Sequence, residues 1–174
     1  IANSGLAPKG LEKAEAIFVA VELGLELGLP IMAALQNIAV INGRPGVFGD
    51  VQLAIVRSSG LLEDYAEKEV GEPGKDTFGI ECICKRAGTG RFANSRFTVA
   101  DAKLAGLWGK SGPWPQYPKR MLKFRARGFL LRDEFGDVLK GVRSVEEMRD
   151  QAEEDRFANA KNVHPMAPAG TPMV

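Results

Sequence analysis

Ten lysines and arginines fall between Lys103 and Arg143, against only Asp133, Glu134 and Asp137 in the same stretch. The remainder of the chain holds thirteen basic and nineteen acidic residues, so a protein of net charge +1 concentrates an excess of seven positive charges in one segment. Trp108, Trp114 and Tyr117 lie within it. Cations that neutralise phosphates, next to rings on which bases stack, are the means by which proteins hold single-stranded nucleic acid. A solvated helix face that keeps the chain soluble has the same composition.

Other chemistries are less well provided. Gly109-Lys110-Ser111 has the end of a nucleotide-binding loop, but that loop needs glycine five residues before Gly109, where Leu104 stands. An ATP site is therefore not expected. A single histidine, His164, and two cysteines, Cys82 and Cys84, cannot supply a zinc site of ordinary composition. On a strand the two thiols point to one face, so they read as reduced and semi-buried. A metal-dependent nuclease needs converging carboxylates. Asp50, Glu63, Asp64 and Glu81 are the set that a fold could gather, and they define an alternative function. A third reading is an oligomeric adaptor, whose basic helix meets acidic helices of a neighbouring subunit.

On a helical wheel of residues 119–135, at about 100° per residue, Lys119, Arg120, Lys123 and Arg127 share one arc, a solvent-facing stripe. Arg125 and Arg132 sit elsewhere, flanked on both sides by apolar residues. Charges so placed need partners, either carboxylates from the rest of the fold or phosphates lying in a groove. Trp114, between two prolines, and Tyr117 either anchor their loop or stack on bases.

The elements that must position these groups follow from periodicity. Residues 11–27 read as an amphipathic helix with Leu11, Ile17, Val21 and Leu25 on one face. A second helix starts at Pro30. Asn42-Gly43 between apolar runs predicts a hairpin with Arg44 at or near its tip. Asp50 is expected to cap a helix that Gly60 closes. Residues 61–70, 77–86 and 91–99 predict three antiparallel strands joined by short loops, with Lys85, Arg86, Arg91 and Arg96 near the second turn. Thr98 and Asp101 form a capping-box-like start to a short helix. A Gly/Pro/aromatic loop precedes a long helix from about Pro118 to Phe135, and a further helix covers 144–157. The class is α+β: a small antiparallel β-sheet with a hairpin, packed against a long basic helix and flanking helices. Residues 1–158 read as one domain and 159–174 as a flexible Pro-rich tail. The start of the chain has no secretory-signal pattern and no apolar run long enough for a membrane helix, so a cytoplasmic setting is expected.

The stretch WPQYPKRMLKFRARGFLLRDEFGDVLKG, Trp114 to Gly141, resembles the signature of RecT-type phage recombinases, the RecT/Red-beta family of single-strand annealing proteins. Upstream, GLPIMAALQNIAVINGRPGVFGD and FTVADAKLAGLWGKSGPW are similar to the family's helix-to-hairpin stretch and to its connection into the long helix. The likeness spans roughly residues 20–145, and Gly136 stands where many members have proline. It implies ATP-independent binding of single-stranded DNA and annealing of complementary strands in homologous recombination, in a phage or prophage setting. It also implies a non-enzyme that forms homo-oligomeric rings or helical filaments, with a partner exonuclease and a host single-strand-binding protein. No cofactor is expected, and the sequence does not fix whether DNA binding needs Mg²⁺. The implied groove lies between the sheet with its hairpin and the long helix. Its expected contacts are Arg44, Lys110, Lys119, Arg120, Lys123, Arg125, Arg127 and Arg132, with Trp114 and Tyr117 stacking or ordering the loop.

Overall fold

The structure, a computed structural model, describes residue 8 and residues 10–151. The expected tail and residues 152–157 of the expected last helix lie outside the described residues. Helix α1 runs Ala14–Glu26 and α2 Ile31–Asn37. They meet at small residues: a Cβ built on Gly24 would overlap that of Ala34. This contact sets the roll of α1, so Ala20, Gly24 and Leu27 face inward while Leu25, expected on the apolar face, is exposed. Gly24→Ala adds about 1 kcal/mol of helix propensity but meets an overpacking cost of typically ~1–3 kcal/mol. At so close an approach the clash wins, and a lower urea midpoint is the expected result; a raised midpoint would show that the two helices do not meet there.

Strands β1 (Ile38–Ile41) and β2 (Arg44–Val47) form the expected hairpin, with Ile41 opposite Arg44. Asn42 and Gly43 both have positive φ, 51° and 74°, as a two-residue turn matching the strand twist requires. Arg44 leaves that turn exposed to solvent. Helix α3 spans Gly49–Ser58, and here one expectation is corrected: Phe48 occupies the cap position and Asp50 lies inside the first turn. The Gly49 amide instead donates to Glu146 Oε2 at 3.1 Å, a carboxylate from far along the chain. A remote partner has replaced a local one.

Strands β3 (Leu62–Val70), β4 (Gly79–Arg86) and β5 (Phe92–Thr98) form an antiparallel sheet in that order, as the alternation predicted. Ile80, Cys82 and Cys84 line its covered face. Burial pushes both free thiols up to about 11. Helix α4 (Val99–Leu104) opens with the complete capping box: the Asp101 amide donates to Thr98 Oγ1 and the Thr98 amide to Asp101 Oδ2. The loop before the long helix contains a short helical turn, α5 (Pro113–Gln116), which its Gly and Pro content conceals.

Helix α6 runs Pro118–Leu139 and lies across the covered face of the sheet, with Phe129 edge-on to Phe97 at 5.9 Å between ring centres. At Phe135, its expected end, the backbone leaves helical values (φ −131°, ψ 32°) and then resumes. Arg86 from β4 donates to the Glu134 carbonyl at this break and pairs with Asp137 just beyond it. A β-strand side chain thus holds the kink that carries the helix on to Leu139. A last helix, α7, is described from 145 to 151 and returns along α6.

Candidate nucleic-acid interface

The long helix carries the charge, and its neighbours carry the opposite charge. Lys119 pairs with Glu69 on β3 at 2.9 Å, and Arg120 with Asp50 on α3 at 2.7 Å. Both pairs are exposed. Lys123 lies 3.4 Å from Glu67 on β3. Arg125 and Arg132, whose partners the sequence left open, reach Asp150 at 2.6 Å and Glu147 at 2.9 Å, both on α7. Every basic residue of α6 named from the sequence therefore meets a carboxylate of its own chain.

Arg127 is a correction to the expected stripe. Its side chain is only 5% exposed, because the helix rolls so that the arc holding it faces β3 and α3. Its Nε and Nη2 donate to Glu67 Oε1, and Nη1 donates to Asp50 Oδ1 at 3.0 Å. Burial raises the Glu67 carboxyl, but hydrogen bonds from the Tyr65 hydroxyl and from Arg127 outweigh it, and the group ends below its ordinary value. Tyr65, half-buried beside them and donating to Glu67, is pushed well above its usual range by desolvation and by that bond. This is a fold-holding network.

Trp114 fits one of its two readings. It is 1% exposed, and its indole N–H sits 3.2 Å from both carboxylate oxygens of Asp150. A ring so enclosed has no free face for a base; it anchors the loop, which was the other reading of its place between prolines. Lys110 donates to the Asp150 carbonyl at 2.7 Å and so tethers the same loop to α7. Tyr117, by contrast, is 61% exposed. Near the sheet, Lys85, Arg86 and Arg91 pair with Glu63, Asp137 and Glu134.

Positive charge without a carboxylate beside it collects elsewhere. A trough of about 510 Å³ runs between the β1–β2 hairpin and the segment that follows α6. Arg44, Lys140 and Arg143 line it, and among the described residues no Asp or Glu does. Arg143 donates to the neutral Gln151 at 2.7 Å, while Arg44 and Lys140 make no ion pair among the described residues. Lys140 is held in the left-handed region (φ 52°) at the end of α6, and Gly141 continues the turn, which brings both residues to the trough wall. The hairpin tip and the helix end are presented side by side because Val47 of β2 bridges to Ser144 and its amide donates to the Arg143 carbonyl at 3.2 Å.

Of the residues expected from the sequence, Arg44 lies in this trough; Lys119 and Arg120 are exposed near the other end of α6, and Lys123 is half-buried against β3. Lys140 and Arg143 were counted in the basic segment but not singled out. The available signal was their position after Asp137 and before Glu146, in a carboxylate-free interval of the sequence. The carboxylates of the nuclease alternative are spread over α3, β3 and β4, and among the described residues no group of three or more His, Cys, Asp or Glu is placed to share a metal ion. No single described helix is long and apolar enough to cross a membrane. Comparison of the chain with protein-family models, with curated proteins and with solved structures finds no match.

Proposed function

We propose that this protein binds single-stranded DNA and anneals complementary strands without a nucleotide cofactor. The observation that carries the reading is the trough of Arg44, Lys140 and Arg143, in which cations face solvent with no carboxylate among the described residues to neutralise them. A polyanion that releases its own counterions is the ligand such a surface favours. The resemblance of residues 114–141 to RecT-type recombinases supports the same choice and supplies the annealing step.

In this mechanism the trough takes the sugar-phosphate backbone, and the bases stay free to test a second strand. Base pairing then provides specificity while the protein provides neutralisation and alignment. Lys119 and Arg120 can extend the track, because exposed ion pairs contribute roughly 0–1 kcal/mol and exchange readily for phosphate. Arg125, Arg127 and Arg132 hold the helix in place instead. By the same resemblance the chain works as a homo-oligomer beside an exonuclease. The exposed Phe18, Leu25, Ile31 and Met32 on α1 and α2 support a subunit contact there.

The test is annealing of two complementary labelled oligonucleotides, without nucleotide, across a salt series. The expected result is acceleration over the spontaneous rate that disappears at high salt. Binding without acceleration would reduce the protein to a passive single-strand binder. Absence of binding at low salt would remove the reading altogether.

A further inference from the structure

A second cavity, of about 260 Å³, opens at the opposite end of α6 from the cationic trough. Its apolar walls are Phe78, Val99, Trp108 and Leu122. Trp108 is 38% exposed, and its ring is presented by a loop that the Trp108 amide ties to the Ala102 carbonyl at 3.1 Å. Among the described residues its indole N–H donates no hydrogen bond. Three lysines stand on the rim: Lys75, Lys103 and Lys119. Lys75 pairs with Glu72, Lys103 with Asp76, which itself lines the cavity, and Lys119 with Glu69, its ammonium also lying 5.4 Å from the centre of the Phe78 ring.

The chemistry of an occupant follows from these groups. The cavity is smaller than the ~300–1,000 Å³ of sites for drug-sized ligands, so it takes one ring system and excludes a helix or strand of a partner protein. An exposed tryptophan face beside a free N–H suits a flat ring with acceptor atoms. Three lysines around a single-ring pocket exceed what one acidic side chain needs, but they match the successive phosphates of a strand passing over the rim. The first turn of α6 adds to this. Pro118 opens it, no side chain caps its amides, and a helix start of that kind favours anions.

We infer that this pocket is a nucleobase-binding site: one base of a single strand stacks on Trp108 while its flanking phosphates displace the surface carboxylates from Lys75, Lys103 and Lys119. The inference rests on the single-strand-binding reading but assigns a different place, roughly 30 Å from the trough along the 22-residue α6 at ~1.5 Å per residue. A strand held at both ends of one helix is kept extended between them, which leaves its intervening bases available for pairing.

Tryptophan fluorescence tests it on the full chain, since Trp114 is enclosed and Trp108 is the accessible ring. Titration with an oligothymidylate of roughly 16 nucleotides is expected to quench the emission, whereas inorganic polyphosphate, which has charge but no bases, is expected to leave it unchanged. Trp108→Ala should weaken oligonucleotide binding roughly 5- to 150-fold with no change in the salt slope, and Trp108→Phe should recover most of the loss. Wild-type binding without quenching, or full affinity in Trp108→Ala, overturns the pocket assignment while leaving strand binding intact. So does quenching by a short acidic peptide ending in an aromatic residue but not by the oligonucleotide. Failure of the wild type to bind the oligonucleotide at all sinks the single-strand reading instead. Because the oligothymidylate and polyphosphate comparison uses the unaltered chain, it decides the matter even if Trp108→Ala folds poorly.

Discussion

Arg127→Ala is expected to destabilise the folded state by about 3–5 kcal/mol, the usual cost of removing one partner from a buried ion pair. From α6 the arginine reaches three groups on two other elements: Glu67 on β3, and Asp50 and the Gly49 carbonyl, the latter at 3.4 Å, on α3. Its loss strands the half-buried Glu67 carboxylate between Tyr65 and Lys123, the latter at 3.4 Å. The urea midpoint should fall with little change in slope. Arg120→Ala, which breaks an exposed pair, should move it by less than about 1 kcal/mol. Replacing Arg127 and Glu67 together by apolar residues should recover much of the loss, because both desolvation penalties then vanish. The sign of the pH dependence follows from Glu67. Its carboxyl lies below its ordinary value in the folded state, so the stability it contributes is present above the unfolded carboxylate range, near ~4.3. That contribution is lost as the pH falls through the folded value. An Arg127→Ala protein that keeps wild-type stability yet loses DNA affinity would return this residue to the binding surface.

The second large effect concerns the trough. Each neutralised phosphate contributes a slope of roughly 0.7 to the dependence of binding on salt for single strands. Removing three such contacts, in Arg44→Ala/Lys140→Ala/Arg143→Ala, should lower the magnitude of that slope by about 2. Carried from a 1 M reference to physiological ionic strength, a slope change of this size corresponds to roughly 50-fold weaker binding. Thermal stability should hardly move, because none of the three is ion-paired among the described residues. Fluorescence anisotropy with a labelled oligonucleotide over a salt series measures both quantities. An unchanged slope in the folded triple variant would show that the strand does not lie in the trough. The same substitutions at Arg125 and Arg132 are expected to act the other way, lowering stability through Asp150 and Glu147 while leaving the slope alone.

Much of the architecture was legible in the chain because it is set by interactions between near neighbours. Asn42-Gly43 specifies the hairpin through the positive φ angles its turn needs, and Thr98 with Asp101 specifies a helix start through two reciprocal hydrogen bonds. Alternation over 61–99 marks the meander, since side chains on a strand point alternately to the two faces. The concentration of positive charge from Lys103 to Arg143 is likewise a property of the sequence alone.

Which of those charges remain available is a property of the tertiary structure. Periodicity placed Arg127 on a solvent stripe because a wheel shows which residues share a face, and not what that face meets. The roll of α6 against β3 and α3 decides that, and it turns Arg127 inward onto Glu67 and Asp50, carboxylates 60 and 77 residues away. Trp114 and Arg125 depend in the same way on Asp150, which α7 brings back from beyond the helix. Gly49 finds its acceptor in Glu146, 97 residues later, where local reading expected a cap from Asp50. Local sequence therefore determined the elements and the sign of the charge. Long-range packing decided where that charge is spent within the fold and where it stays open to a ligand, because an ion pair forms between residues that the fold brings within a few ångströms, whatever their separation along the chain.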